Sequence, residues 1–161
     1  MCIRDRNPPP RLLDSALDKI YRFPLVLASM LPLVKINKTE VKSLGHKIFK
    51  IRATIANLGF LPTYLTEQAK KIKLDKPVKV KIELDKDVEL LAGKEKIILG
   101  NLEGCSDRLQ GHPTYSVTGG KPEESKKTVE WVVRAKKTPA KVNIISISQK
   151  GGKDRKEIEL A

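Results

Sequence analysis

Val78, Val80, Ile82 and Leu84 alternate with Lys79, Lys81 and Glu83, and this period-two run constrains the fold more than any other part of the chain. Successive side chains of a strand point to opposite faces, so the pattern describes a strand with one face in a core and the other in water. Weaker versions of it recur. They predict strands near 34–43, 47–57, 77–84, 87–92, 94–102, 127–136, 140–148 and 154–160, with Gly151-Gly152 as the turn leading to Ile158 and Leu160. In the seventh run Val142, Ile144 and Ile147 form the alternating apolar set, with Ile145 off phase. Aromatic residues make up only 4% of the 161 positions, so the core rests on Val, Ile and Leu, whose side chains suit strands. Eight short strands with one helical turn imply a mainly β chain, an Ig-like or fibronectin-like antiparallel β-sandwich. The single tryptophan, Trp131, is in phase with Val129 and Val133 and is placed inside it.

The second strand runs into unusual punctuation. Ile51, Ala53 and Ile55 alternate, and then Asn57 and Gly59 offer the two residue types most tolerant of positive φ. Pro62 blocks continuation of the ladder and holds Leu61 extended. The Thr63 hydroxyl is expected to cap a short helix that runs to about Lys71.

Ahead of the strands, Leu12, Leu13, Ala16, Leu17, Ile20, Tyr21, Leu27, Ala28 and Leu31 recur at helical spacing, with Asp14, Asp18, Lys19 and Arg22 between them. This predicts an amphipathic helix over 11–31 that begins on a proline run and is kinked or split at Pro24, which removes the bond to the Ile20 carbonyl. The apolar stretch from Phe23 to Val34 contains two prolines and falls short of the ~20 residues a membrane helix needs, so no membrane span is expected. A signal peptide does not fit three prolines, Asp14 and Asp18 ahead of that stretch. The period changes at residues 32–34, which marks the domain boundary.

The formal net charge of +13 raises the question of a nucleic-acid partner. Lys supplies 24 of the 32 basic residues and Arg 8, whereas base and phosphate recognition favours Arg forks and, on single strands, exposed aromatics. Lys79, Lys81, Lys86, Lys94 and Lys96 interleave with Glu83, Asp85, Asp87, Glu89 and Glu95, as on solvated strand faces and guarded sheet edges. Nucleic acid is therefore disfavoured as a partner, and an anionic polymer or cell-wall ligand is the alternative for the Lys-rich faces. A long Gly/Pro/Ser/Thr-rich connection spans 104–127; Arg108, His112 and Tyr115 are its candidate ligand contacts, against the simpler reading of a variable surface loop. Cys105 is unpaired within the domain, because the other cysteine, Cys2, lies in the leader.

Taken in order, Asn7-Pro8-Pro9-Pro10-Arg11-Leu12-Leu13, Leu27 to Pro32, the 52–71 segment, Leu90 to Lys94, Leu99 to Gly104 and Glu130 to Ala135 resemble a region of bacterial zinc carboxypeptidases of the carboxypeptidase A-like class. The region comprises the last helix of the peptidase domain and the β-sandwich domain that follows it. The resemblance runs from Asn7 to the C-terminus and divides the chain into three: a leader at 1–6, a terminal helix of a truncated peptidase domain at 7–33, and an accessory sandwich at 34–161. Met1 to Arg6 show no continuity with this pattern and read as a sequencing-adapter remnant or an untethered terminus.

That family holds zinc with a His-x-x-Glu pair and a later His, and uses a separate Glu on the metal-bound water. Here His46 precedes Lys-Ile-Phe and His112 precedes Pro-Thr-Tyr, so neither has a carboxylate three residues on, and both read as loop or strand-edge residues. No catalytic, cofactor-binding or metal-ligating residue is assigned, and zinc is expected only in a catalytic domain absent from this chain. The resemblance implies a non-catalytic part of a metallocarboxypeptidase whose partner is its own missing catalytic domain, with the parent protein extracellular, periplasmic or at the cell surface. The alternative is an autonomous module that binds cell-wall glycan, an anionic polymer or a protein. The two differ in one respect: a bracing domain leaves an apolar patch continuous with the 11–31 helix, whereas an autonomous module buries that helix against its own sheet.

Overall fold

A computed structural model describes residues 9–104 and 122–160. Helix α1 (Pro10–Ser29) leads into strands β1 (Val34–Gly45) and β2 (Ile48–Asn57). A short helix α2 (Glu67–Lys71) follows, then β3 (Val78–Leu84), β4 (Val88–Ala92) and β5 (Lys96–Gly100). After one 3-10 turn (Pro122–Ser125) the chain closes with β6 (Lys126–Ala135), β7 (Ala140–Ser148) and β8 (Gly152–Leu160). All pairings are antiparallel, in two four-stranded sheets of order β1-β2-β6-β4 and β5-β3-β7-β8.

Setting β5 aside, these orders are the seven-strand arrangement of an Ig-like sandwich, with β1, β2, β6 and β4 as A, B, E and D and β3, β7 and β8 as C, F and G. The chain is thus mainly β, an Ig-like antiparallel sandwich preceded by one helix. Strand β5 is an addition between D and E. The chain crosses from β3 to the edge of the other sheet as β4, then returns to lie beside β3 as β5.

The core forms where the inward phases of the two sheets meet. Ile51, Ile55, Val78, Val80, Ile82, Val133, Val142, Ile144 and Leu160 are buried, and Trp131 fills the space between the sheets. Its indole N–H donates to the Lys94 carbonyl at 2.9 Å, so the ring is buried without stranding its polar atom. On the wet side of the first sheet, Glu130 lies between Lys50 (2.7 Å) and Arg52 (2.6 Å), which hold its carboxyl below the usual range.

Several local expectations are corrected. Helix α1 is not split at Pro24 but runs through it as one element, and the Ile20 carbonyl that loses its partner belongs to a helix open to water. The cap of α2 is Thr66, whose hydroxyl accepts from the Ala69 N–H, and the helix starts only at Glu67. Thr63 is instead buried and paired with Leu102: its N–H donates to the Leu102 carbonyl and its hydroxyl accepts from the Leu102 N–H, both at 2.9 Å. That pairing draws Leu102 into the core and ends β5 at Gly100, two residues earlier than the apolar pattern implies. In β7 the inward positions are Val142, Ile144, Ser146 and Ser148, so Ile147 faces outward.

The open side between β1 and β8 is closed by Asp154. Its carboxylate accepts from the Ile36 N–H at 2.9 Å and from the Lys35 ammonium at 3.2 Å. Burial pushes this carboxyl up, but those donors outweigh burial and the net direction is down. A depressed carboxyl stabilises fully above its unfolded value of about 4, and the contribution is lost as pH falls through the lower folded value. Urea midpoints of Asp154→Asn should accordingly fall less steeply than those of the natural chain below about pH 4; superimposable acid limbs would contradict the assignment. Trp131→Ala should cost about 3–5 kcal/mol by the same measurement. A loss below about 1 kcal/mol would mean that the indole does not fill the core.

Candidate functional site: the uncovered helix and its anchor

Helix α1 carries a well-separated apolar stripe and buries none of its residues. Leu17, Ile20, Tyr21 and Phe23 are all more than half exposed, Ile20 by 68%. A globular helix ordinarily turns such a stripe toward a core. Here the polar side is conventional, with Arg22 and Asp18 paired at 2.8 Å one turn apart, and the apolar side buries no residue against the sandwich.

The helix is nonetheless held firmly at its base. The Asn57 side chain is 1% exposed, and its Oδ1 accepts from the N–H groups of Leu33 (2.9 Å) and Gly59 (3.0 Å). Its Nδ2 donates to the carbonyls of Leu61 (2.8 Å) and Glu103 (3.1 Å). One amide thereby joins the segment leaving α1, the turn after β2 and the segment after β5. Backbone bonds from Leu61 to Met30 (2.9 Å) and from Leu58 to Leu33 (2.8 Å) complete the clamp.

Two glycines permit this approach. A Cβ at Gly59 would collide with the Leu31 carbonyl and lie 2.6 Å from Pro32 Cα; one at Gly104 would collide with the Phe60 carbonyl. Asn57 and Gly59 were expected to supply positive φ, yet neither adopts it: the first is used for its amide and the second for its missing side chain. Leu31, Leu33, Leu58 and Phe60 stay partly exposed around the clamp, so the apolar surface of α1 continues onto the end of the sandwich.

Beside the clamp lies a cleft of about 380 Å³ lined by Thr63, Tyr64, Thr66, Leu74, Asp75 and Lys150, among others. The Tyr64 hydroxyl donates to Glu103 Oε2 at 2.8 Å, and the Lys70 ammonium sits 3.9 Å from its ring centre. Burial, reinforced by Glu103, pushes the phenol above its ordinary range and keeps it a donor. Asp75 accepts from the Asn101 amide. These groups fasten the 63–76 segment to the strand ends, and no nucleophile with an adjacent base is assembled in the cleft.

His46 sits at the exposed tip of the β1–β2 hairpin with Lys47, both at positive φ, far in sequence from any clustered acid. No group of three His, Cys, Asp or Glu able to hold a metal occurs among the described residues. No described helix is long and apolar enough to cross a membrane. Cys2, Cys105, Arg108, His112 and Tyr115 lie outside the described residues.

Replacing Asn57 by Ala should leave buried N–H and carbonyl groups without partners and cost at least about 3 kcal/mol. An unchanged urea midpoint would show that the amide is not the clamp.

The profile of a family described as Domain of unknown function (DUF8731) matches residues 33–159. No curated protein matches the chain. Among solved structures, the GAE domain of GGA2p from Saccharomyces cerevisiae is similar at 11% identity and a TM-score of 0.35, over 75% of this chain and 82% of that one. So loose a likeness carries no function across. The match over most of the sandwich is of another kind: this chain belongs to the DUF8731 family.

Proposed function

We propose that this chain is the non-catalytic C-terminal part of a zinc metallocarboxypeptidase, in which the sandwich braces a catalytic domain that the chain does not contain. The observation that carries this reading is the contrast within α1: an apolar stripe with no buried residue, on a stem clamped to the sandwich by Asn57. Exposed apolar surface that continues across two elements marks a contact with another folded body. A fixed stem makes that contact rigid, as bracing requires, whereas a self-contained module would have folded α1 onto its own sheet. The ordered resemblance from Asn7 onward favours the peptidase domain as that body and, with it, an extracytoplasmic location for the parent. Zinc and the water-activating Glu would belong to that domain.

Two measurements test the reading. The purified 161-residue chain should take up no stoichiometric zinc and release no C-terminal residue from peptides; turnover abolished by a chelator would overturn it. In the parent protein, the α1 amides should exchange with solvent far more slowly than in the isolated chain. Leu17→Asp with Ile20→Asp should remove that protection, yet shift the stability of the isolated chain by less than about 0.5 kcal/mol. An upstream sequence without a His-x-x-Glu domain, or equal exchange in both contexts, would sink the proposal.

A further inference from the structure

We infer that the outer face of the β5-β3-β7-β8 sheet binds a linear phosphodiester polymer whose phosphates are joined by aliphatic units rather than bearing aromatic bases. The surface shares no residue with α1, and the inference stands independently of the peptidase reading.

The β5-β3-β7-β8 face groups five cations in two adjacent rows that contain no carboxylate. On the β1-β2-β6-β4 face, carboxylates are set among the cations: Glu130 bridges Lys50 and Arg52, and Glu40 takes Lys38 at 2.5 Å. On the other face, the strand register aligns Ile98, Lys79, Ile147 and Lys153 in one row across the sheet. Lys96, Lys81, Ile145 and Arg155 form the next. Val78, Val80, Ile82, Val142 and Ile144 occupy the inward phase, so both rows lie on the outer face, where Ile145 is covered by its neighbours and Ile98 and Ile147 stay exposed. The carboxylates bordering them are Glu83, bonded to Lys81 at 3.1 Å, and Glu157, bonded to Lys141 at 2.8 Å, both in the adjacent row. Among the described residues, Lys79, Lys96 and Lys153 have no carboxylate within ion-pair distance.

Neighbouring strands lie about 4.8 Å apart and successive rows about 6.7 Å apart, so five cations share one small, flat face. Four are Lys, compact point charges suited to phosphate, where planar carboxylates are better matched by Arg forks. Ile98 (64% exposed) and Ile147 (44%) put apolar ground between the ammonium groups. Neither row contains an aromatic side chain on which a base could stack. A polymer alternating phosphate with short aliphatic units meets the charge and the isoleucines together.

The test uses the full 161-residue chain with fluorescently labelled poly(glycerol phosphate), oligothymidylate and polyglutamate of equal charge. Poly(glycerol phosphate) should bind at 50 mM salt, with a log–log salt slope of roughly −3, as expected for about four phosphates contacted on a flexible strand. Lys79→Glu with Lys153→Glu should weaken binding at least tenfold. Lys42→Glu with Lys126→Glu, the same charge change on the other sheet, should weaken it less than threefold. Ile98→Ser with Ile147→Ser should weaken it several-fold without altering the salt slope. Urea midpoints verify that each variant is folded. No binding at 50 mM salt, equal losses from the two charge-reversed pairs, or tighter binding of oligothymidylate or polyglutamate would each overturn the inference.

Discussion

A single buried amide organises the end of this sandwich from which the helix departs. Asn57 closes β2, and its side chain bonds to backbone groups of Leu33, Gly59, Leu61 and Glu103, which belong to three separate stretches of chain. Those groups are all peptide N–H or carbonyl, so the amide does the work of a short piece of sheet where no strand could fit. The close approach of Gly59 to Leu31 and Pro32, and of Gly104 to Phe60 and Leu61, follows from that convergence. The direction in which α1 leaves the sandwich is thereby tied to the core.

The surface shows two further kinds of incompleteness. Helix α1 presents apolar side chains that no described residue buries, while the β5-β3-β7-β8 face presents two adjacent rows of cations with carboxylates only along their border. They sit on different elements and call for different chemistry: the first favours a folded apolar surface and the second an anion. The proposed bracing role would use the first surface alone and leave the second free for a separate ligand.

Much of the fold was legible because the core is aliphatic and each strand has one wet face. Val78 to Leu84 shows it most clearly, and all eight strands fall within two residues of their expected ends. Parity was harder to read in β7, where Ser146 points inward while Ile145 and Ile147 point out; when both phases contain isoleucine, hydrophobicity cannot choose between them. The position of β5 was not legible, since a strand's partner is decided by which edge is free when it arrives. The junction around Asn57 was conspicuous in sequence, but for a different reason from the one the structure reveals. Its residue types signalled a turn, whereas its bonds reach partners as far away as Glu103. For α1 the amphipathic spacing was plain, and only the structure shows that its apolar side is bare.

The connection between β5 and β6 has a closed neck. Thr63 pins Leu102 on the way out, and the Glu103 N–H donates to the Glu124 carbonyl at 3.2 Å where the chain comes back. Loop-closure entropy grows only slowly with length, so doubling the length of the segment joined at this neck would cost only about 0.6 kcal/mol. The sandwich can thus accept segments of widely different length at this point while its sheets and its helical stem stay as they are.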